Sequence, residues 1–252
     1  MIGWFGLLAV AGAQACFFNA VQHLPIGVAL LLEYLGIILV VGWMWAAHGH
    51  RPRRLTFIGA GAAMLGLVFV LDLVGGASLN LVGVLWGLGA AVGLATYFVL
   101  SARADSGLPP VALASGGMAV GAAALIILGA LGALPLHATF GDVNLAGHRV
   151  SWLVPTLGVS LVAAAFSYVA GIGAARILGA RLSSFVGLTE VVFAILIAWL
   201  ALNEIPTLIQ LLGGVLIVSG VVLVRLDDAA PVQELAEPTI ATTELSLVAD
   251  RE

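Results

Sequence analysis

Two apolar stretches decide the fold, Pro25-Ile-Gly-Val-Ala-Leu-Leu-Leu-Glu33-Tyr-Leu-Gly-Ile-Ile-Leu-Val-Val-Gly-Trp43 and Arg181-Leu-Ser-Ser-Phe-Val-Gly-Leu-Thr-Glu190-Val-Val-Phe-Ala-Ile-Leu-Ile-Ala-Trp199. Each is close to the length of about 20 apolar residues that crosses a membrane as a helix. Each also carries one carboxylate, which costs on the order of 2.5–3.5 kcal/mol inside a bilayer and therefore usually faces a cavity or a partner. Two such residues at matching places indicate a duplicated membrane protein with a central polar site.

The composition of the whole chain is typical of a membrane protein with several spans. Hydrophobic residues make up 62% of the 252 residues, charged residues make up 9%, and the mean hydropathy is +1.18. A soluble domain carries roughly 25% charged residues. No basic region precedes the first apolar segment, so a cleaved signal peptide is not expected. The composition predicts an all-α integral membrane protein of the cytoplasmic (inner) membrane.

Proline, glycine and charged residues divide the chain into eight apolar segments, each predicted to be one transmembrane helix. The longest link, residues 135–149, is polar enough to be an external loop. The segments run roughly over residues 2–22, 25–47, 55–74, 79–101, 109–134, 150–174, 181–202 and 205–225.

The arginines predict the orientation of these helices, because basic residues concentrate in cytoplasmic loops. If Met1 lies in the cytoplasm, seven arginines fall on the cytoplasmic side near the membrane, against Arg149 alone outside. Both termini are therefore predicted to be cytoplasmic. The seven topology determinants are Arg51, Arg53, Arg54, Arg103, Arg176, Arg181 and Arg225.

Acidic residues concentrate after the last segment, in residues 227–252. This stretch holds seven acidic residues against Arg251, contains Pro231 and Pro238, and shows no sustained periodicity. It is predicted to be a disordered, solvated cytoplasmic tail.

The two glutamates belong to a longer internal repeat. When Glu33 is aligned with Glu190, a Pro-marked turn follows in both copies, and two glycines of each next helix then coincide. An odd number of spans separates the copies, so they cross the membrane in opposite directions. Such inverted repeats are common in secondary transporters, which handle substrate between the halves near the midplane. The coinciding residues are Pro52 with Pro206, Gly59 with Gly213, and Gly66 with Gly220.

The repeat predicts how the chain is organised. Residues 1–76 would form an incomplete first repeat of three helices, residues 79–226 a second repeat of five helices, and residues 227–252 the tail.

Three stretches are similar to the hallmark motifs of one family, the EamA-type members of the drug/metabolite transporter superfamily. The resemblance covers residues 1–226 and implies alternating access with export or uptake of small metabolites. The most similar branch holds the threonine/homoserine-type and aromatic amino-acid exporters. The stretches are residues 24–40 around Glu33, residues 179–194 around Glu190, and Leu202-Asn-Glu-Ile-Pro206-Thr-Leu-Ile-Gln210-Leu-Leu-Gly-Gly214-Val-Leu-Ile-Val-Ser-Gly220.

The resemblance implies ten helices in two five-helix repeats, so two helices that should open the first repeat are missing. Three explanations are open: a misassigned start codon, a genuine eight-helix variant, and a decayed gene. We favour misassignment or truncation. The difference bears on function, because the family's first helix normally contributes to the binding cavity.

Glu33 and Glu190 are the first candidates for the transport site. Each lies about eight residues into its helix, from opposite sides, which places it about 12–14 Å deep and close to mid-membrane. A carboxyl at that depth suits proton coupling or the binding of an amine. The alternative is a structural carboxyl that is protonated or hydrogen-bonded to a neighbouring helix.

Other polar and aromatic side chains at membrane depth are candidates to shape a substrate cavity. Ser160 and Ser167 are seven residues apart and share a helix face, and Trp86 lies among glycines. The alternative for each is packing and hydrogen bonding between helices. The candidates are Gln14, Asn19, Tyr34, Trp86, Thr96, Tyr97, Ser160, Ser167 and Tyr168.

The sequence therefore predicts a secondary transporter, an exporter of small metabolites such as amino acids, with no metal or other cofactor. Its partners would be the lipid bilayer and the substrate but not nucleic acid, and its Gly-x-x-x-Gly motifs would permit a homodimer. A second class is a non-transporting membrane scaffold or a truncated remnant of such a transporter. An intramembrane enzyme has little support, because the spans lack a His/Asp/Glu metal set and a Ser–Lys pair.

Overall fold

The computed structural model describes residues 1–49, 52–70, 80–103, 107–132, 134, 140–145, 148–202, 205 and 207–229. Almost all of these residues are helical. The helices are α1 (Ile2–Ala20), α2 (Ile26–Tyr34), α3 (Gly36–His48), α4 (Arg54–Val70), α5 (Leu81–Ser101), α6 (Pro110–Ala130), α7 (Leu153–Gly187), α8 (Thr189–Leu202) and α9 (Leu208–Ala229).

The prediction of an all-α membrane protein is confirmed. Among the described residues, six helical runs are long and apolar enough to cross a membrane, and α4 is a shorter apolar helix. One of the six runs joins α2 and α3, which only Leu35 separates. The count of eight spans stays a prediction, since it requires the end of α7 and α8 to form one span together.

One glycine interrupts α7 where the sequence predicts a loop between the sixth and seventh spans. Gly179 has a φ of 77° and a ψ of 165°, outside the helical region. Glycine adopts such a positive φ readily because it has no Cβ to clash with the backbone. The expected loop is thus reduced to a single non-helical residue within the described chain.

A short hairpin occupies the longest predicted link. Strand β1 (Val143–Leu145) pairs with β2 (His148–Val150) in an antiparallel register that places Val143 opposite Val150. Phe140 and Trp152 flank the hairpin and contact each other edge to face, with ring centroids 5.1 Å apart. The hairpin thus pairs residues 143–145 with residues 148–150 shortly before α7 begins.

Helices α4 and α9 pack backbone to backbone through glycines. A Cβ on Gly66 would lie 2.5 Å from the carbonyl oxygen of Gly213, and a Cβ on Gly213 would lie 2.6 Å from that of Gly66. Gly59 and Gly220 meet in the same reciprocal way, at 2.7 and 2.5 Å. The two helices therefore run antiparallel. Inside a membrane, where the hydrophobic effect does not drive helices together, small residues permit the close van der Waals packing that does.

The other small-residue motifs also serve packing inside the chain. On α5, Gly87 lies against Leu32, and Gly93 lies against Ala13. On α6, Gly117 lies against the ring of Phe5. The Gly-x-x-x-Gly patterns are thus occupied by contacts within one molecule.

The first residues of the predicted tail belong to a helix instead. Helix α9 continues to Ala229, and Asp227 is buried, with 6% of its surface exposed. Its carboxylate accepts a hydrogen bond from the hydroxyl of Thr56 and lies 3.9 Å from Nη1 of Arg181. A carboxylate is buried at acceptable cost when such partners are in place. Residues 230–252 lie outside the described residues.

The glycine contact between α4 and α9 predicts that Gly66→Ala destabilises the protein. The added methyl group would displace backbone rather than a flexible side chain, which costs about 1–3 kcal/mol. The readout is the unfolding midpoint of purified protein in detergent.

The matched control is Gly61→Ala on the same helix. A Cβ there meets nothing within 4 Å, so alanine should be neutral or slightly stabilising. Equal midpoints for the two variants would contradict the packing described for Gly66.

The buried Asp227 predicts that Thr56→Val lowers stability, although valine keeps the shape of the side chain. Loss of the hydroxyl removes a donor from a buried carboxylate, at a cost of about 1–3 kcal/mol. The comparison is Thr96→Val, because among the described residues the hydroxyl of Thr96 bonds only the carbonyl oxygen of Val92 on its own helix, at 2.7 Å. A midpoint for Thr56→Val no lower than that for Thr96→Val would refute the role of Thr56.

Candidate functional site

A cavity of about 530 Å³ lies between α1, α2, α5, α7 and α8. Its volume is within the range of roughly 300–1,000 Å³ found for small-molecule sites. It brings together six of the side chains that the sequence marks as site candidates, although they lie far apart in the chain. These are Gln14, Glu33, Tyr97, Ser167, Tyr168 and Glu190.

Both glutamates of the cavity lie next to a one-residue irregularity in a helix that otherwise continues. Glu33 precedes Leu35, between α2 and α3, and Glu190 follows Leu188, between α7 and α8. Both leucines keep right-handed helical dihedral angles. The backbone N–H of each leucine bonds a carbonyl three residues earlier, that of Leu32 at 3.2 Å and that of Phe185 at 3.1 Å, which tightens the helix locally to a 3₁₀ turn.

A hydrogen bond ties the two predicted halves together at the cavity. The phenol of Tyr34, on α2, donates to Oε1 of Glu190, on α8, over 2.5 Å. This length is typical of a strong bond from a hydroxyl to a carboxylate. Tyr34 is buried, with 7% of its surface exposed, so its phenol reaches the site through Glu190.

The two carboxyls differ in their surroundings, although the repeat makes them equivalent. Glu190 is exposed to the cavity and accepts the bond from Tyr34. Glu33 is half-buried, and no hydrogen-bond donor among the described residues reaches its carboxyl. The charge of Glu33 is therefore less balanced by hydrogen bonds than that of Glu190.

Aromatic rings form one wall of the cavity. The ring of Tyr97 contacts Phe98, Tyr168 and Phe5, with centroids 5.1, 5.5 and 5.8 Å away. Phe5 also meets Tyr168 edge to face at 6.5 Å. Three helices, α1, α5 and α7, are thereby joined by tilted and edge-to-face pairs, which are the favoured arrangements of aromatic rings.

Five predicted site residues are absent from the lining of this cavity: Asn19, Tyr34, Trp86, Thr96 and Ser160. The amide of Asn19 donates to the carbonyl oxygen of Ala15 at 2.8 Å, and the hydroxyl of Ser160 donates to that of Thr156 at 2.7 Å. Both polar groups are satisfied on their own helix. Trp86, with 39% of its surface exposed, is also absent from the lining.

The cavity also contains residues that the sequence reasoning missed. Ser183 and Thr189 stand in the stretch around Glu190, and their polarity within an apolar run was a usable signal. Phe98 and Phe193 line the cavity as well. Nothing in the sequence distinguishes those two phenylalanines from residues that face lipid.

Comparison with known protein families identifies the family of this chain. The model of the EamA-like transporter family matches residues 81–226. The chain belongs to the EamA-like transporter family. It is accordingly a multi-pass membrane transporter and not an enzyme.

Two proteins similar to this EamA-like transporter are named as uncharacterized transporters. An uncharacterized transporter of Archaeoglobus fulgidus is 26% identical over 219 residues, which cover 87% of this chain and 73% of the relative. An uncharacterized transporter of Synechocystis sp. is 24% identical over 219 residues, covering 85% of this chain and 63% of the relative.

A solved structure shares the fold of this EamA-like transporter. The crystal structure of a protein superposes with a TM-score of 0.70 at 20% identity, covering 89% of this chain and 75% of the other.

The contact between Tyr97 and Gly171 predicts that Gly171→Ala impairs transport without unfolding the protein. A Cβ on Gly171 would collide with the hydroxyl of Tyr97, and this side chain, which lines the cavity, would have to shift from its place. We expect at least about a tenfold loss of flux, as for other small misplacements in a site, with a nearly unchanged unfolding midpoint.

Gly173→Ala on the same helix is the matched control, because a Cβ there meets nothing within 4 Å. Flux should remain close to that of the parent protein. Equal losses in both variants would show that the effect does not come from Tyr97.

Proposed function

We propose that the protein is a secondary transporter that exports small polar or amphipathic metabolites, such as amino acids, by alternating access coupled to protons. Glu33 and Glu190 would bind or couple at the central cavity, and Tyr97, Tyr168, Gln14 and Ser167 would shape it. The observation that carries the proposal is the meeting of two intramembrane carboxyls on one cavity of ligand size. Carboxyls at such depth are typical of proton relays and substrate pathways.

The bond between Tyr34 and Glu190 supports a coupled mechanism. It joins a helix of the first predicted repeat to a helix of the second. This hydrogen bond is strong because its acceptor is charged. Protonation of Glu190, or arrival of a positively charged group beside it, would therefore weaken the bond. A change of charge in the cavity would thus be passed directly to the contact between the halves.

Two features support an inverted repeat as the basis of alternating access. Gly59 aligns with Gly213 and Gly66 with Gly220, and the contacts are Gly59 with Gly220 and Gly66 with Gly213. When two elements are related by a two-fold axis, the first position of one contacts the second position of the other, and the reverse contact also forms.

Helical geometry is the second feature. Residues Phe5–Gly12 of α1 and Gly158–Phe166 of α7 both adopt π-helical hydrogen bonding, and the alignment of the glutamates makes these segments overlap. π-Helical turns are rare and occur frequently at functional sites. Ala9 and Ala163, one from each segment, both line the cavity.

We further propose that both termini are cytoplasmic. Arg54 begins α4, and Arg103 lies two residues after the end of α5. Arg176 and Arg181 flank the break at Gly179, and Arg225 lies in the last turns of α9. A homodimer would have to use the outer apolar faces, since the glycine motifs described above pack within the chain.

The test is flux in proteoliposomes with a panel of labelled amino acids, with and without an imposed pH gradient. Glu33→Gln and Glu190→Gln keep the size of each side chain and remove its charge and proton. We expect each to reduce gradient-dependent flux by at least about tenfold, since a proton-handling group typically contributes 10²–10⁴-fold. Membrane insertion should be unchanged.

Asp142→Asn is the control, because Asp142 is an exposed carboxylate in the link before β1 and away from the cavity. Its flux should equal that of the parent protein. Full transport by the Glu33→Gln/Glu190→Gln double variant would remove the mechanism proposed for these residues, while leaving the family assignment intact.

A further inference from the structure

We propose that the central cavity takes an organic cation, an amine carried on an aromatic or apolar body, and that Glu33 is the carboxylate that receives the positive charge. This inference rests on the proposed transport role of the cavity and narrows its preferred substrates from amino-acid-like metabolites to amines that lack a carboxylate. The cavity would bind amines in preference to zwitterionic amino acids and to anions. The inference also assigns different roles to two glutamates that the sequence makes equivalent.

The charge of the lining is one-sided. Its described residues include two carboxyls, Glu33 and Glu190, and no arginine, lysine or histidine. The carboxylate of an amino acid or an organic acid would find no positive side chain among them. An ammonium group would find two negative ones. Such a site disfavours a ligand whose carboxylate would be left without a positively charged partner.

The hydrogen bonds decide which carboxyl is available to the cation. Glu190 already accepts a short bond from the buried phenol of Tyr34, 2.5 Å away. Glu33 lacks a donor among the described residues and is half-buried. A partly buried charge without a partner is costly until a counter-charge or a proton arrives. Glu33 is therefore the group whose state changes most when an ammonium binds.

Aromatic side chains complete the features expected of a cation site. Tyr97, Phe98, Tyr168 and Phe193 all line the same cavity as Glu33. The faces of aromatic rings attract ammonium groups, and their bodies accept an apolar ligand. The volume of about 530 Å³ exceeds what an ammonium ion alone would fill, so the ligand should carry an aromatic or branched apolar group.

The test compares three probes of similar size and different charge. Phenethylamine is cationic, phenylalanine is zwitterionic and 3-phenylpropionate is anionic at pH 7.5, and all three carry the same phenyl-ethyl body. Binding is measured by calorimetry on the full chain in lipid nanodiscs. We expect phenethylamine to bind at least about tenfold more tightly than phenylalanine, and 3-phenylpropionate to bind most weakly.

Three variants then separate the roles of the two glutamates. Glu33→Gln should weaken phenethylamine binding by at least about 30-fold, as expected when one partner of a partly buried charge pair is removed. Glu190→Gln and Tyr34→Phe should weaken it by less than about tenfold, because the charge of Glu190 is already partly balanced by the bond from Tyr34. Asp142→Asn is the control, and unfolding midpoints confirm that each variant is folded.

Several results would overturn the inference. These are a failure of folded protein to bind phenethylamine, binding of phenylalanine or 3-phenylpropionate as tight as that of the amine, or unchanged amine binding by Glu33→Gln. A greater loss in Glu190→Gln than in Glu33→Gln would overturn the assignment of roles.

The failure of this inference is distinguishable from failure of the proposed function. Flux of phenylalanine in proteoliposomes without amine binding would overturn the inference and leave transport standing. Amine binding without flux of any probe would support the charge preference and count against transport.

Discussion

A carboxylate cannot remain in hydrocarbon without polar surroundings, and this constraint organises the structure. Glu33 and Glu190 both lie within long apolar runs, so each must be directed towards the protein interior or a cavity. The chain satisfies the constraint by placing both on one cavity and by giving Glu190 the phenol of Tyr34. The aromatic wall, the polar lining and the helix irregularities are all grouped around these two side chains.

The pair of helices α4 and α9 differs in regularity from the helices that line the cavity. Helices α4 and α9 are unbroken and meet through reciprocal glycine contacts, backbone against backbone. The cavity, by contrast, is lined by α1 and α7, which contain π-helical segments, and by α2 and α8, which meet the one-residue irregularities beside the two glutamates. π-Helical turns are rare and occur frequently at functional sites. The irregular helices are thus those that line the cavity, and the closely packed pair stands apart from it.

Sequence reasoning succeeded where hydrophobic length and punctuation dominate, and it failed where a local signal was overridden. The positions of the apolar helices follow from runs of apolar residues, because a bilayer fixes the length they must have. Asp227 was assigned to a solvated tail because acidic residues dominate that region, yet α9 buries it beside Thr56 and Arg181. The partners of Asp227 come from α4 and α7, and sequence distance gives no hint of them. Asn19 and Ser160 were marked for polarity alone, although their own helices satisfy them.

By itself the sequence determined the membrane class, the approximate bounds of the helices, the EamA-type family and the two glutamates as functional candidates. These depend on hydrophobicity, charge and spacing, which are properties of the chain read in order. Only the tertiary structure decided that six candidate residues share one cavity and that Tyr34 bonds Glu190 while Glu33 lacks a donor among the described residues. The repeat makes the two glutamates equivalent in sequence. They differ because a distant helix supplies a donor to Glu190, whereas no described residue donates to Glu33.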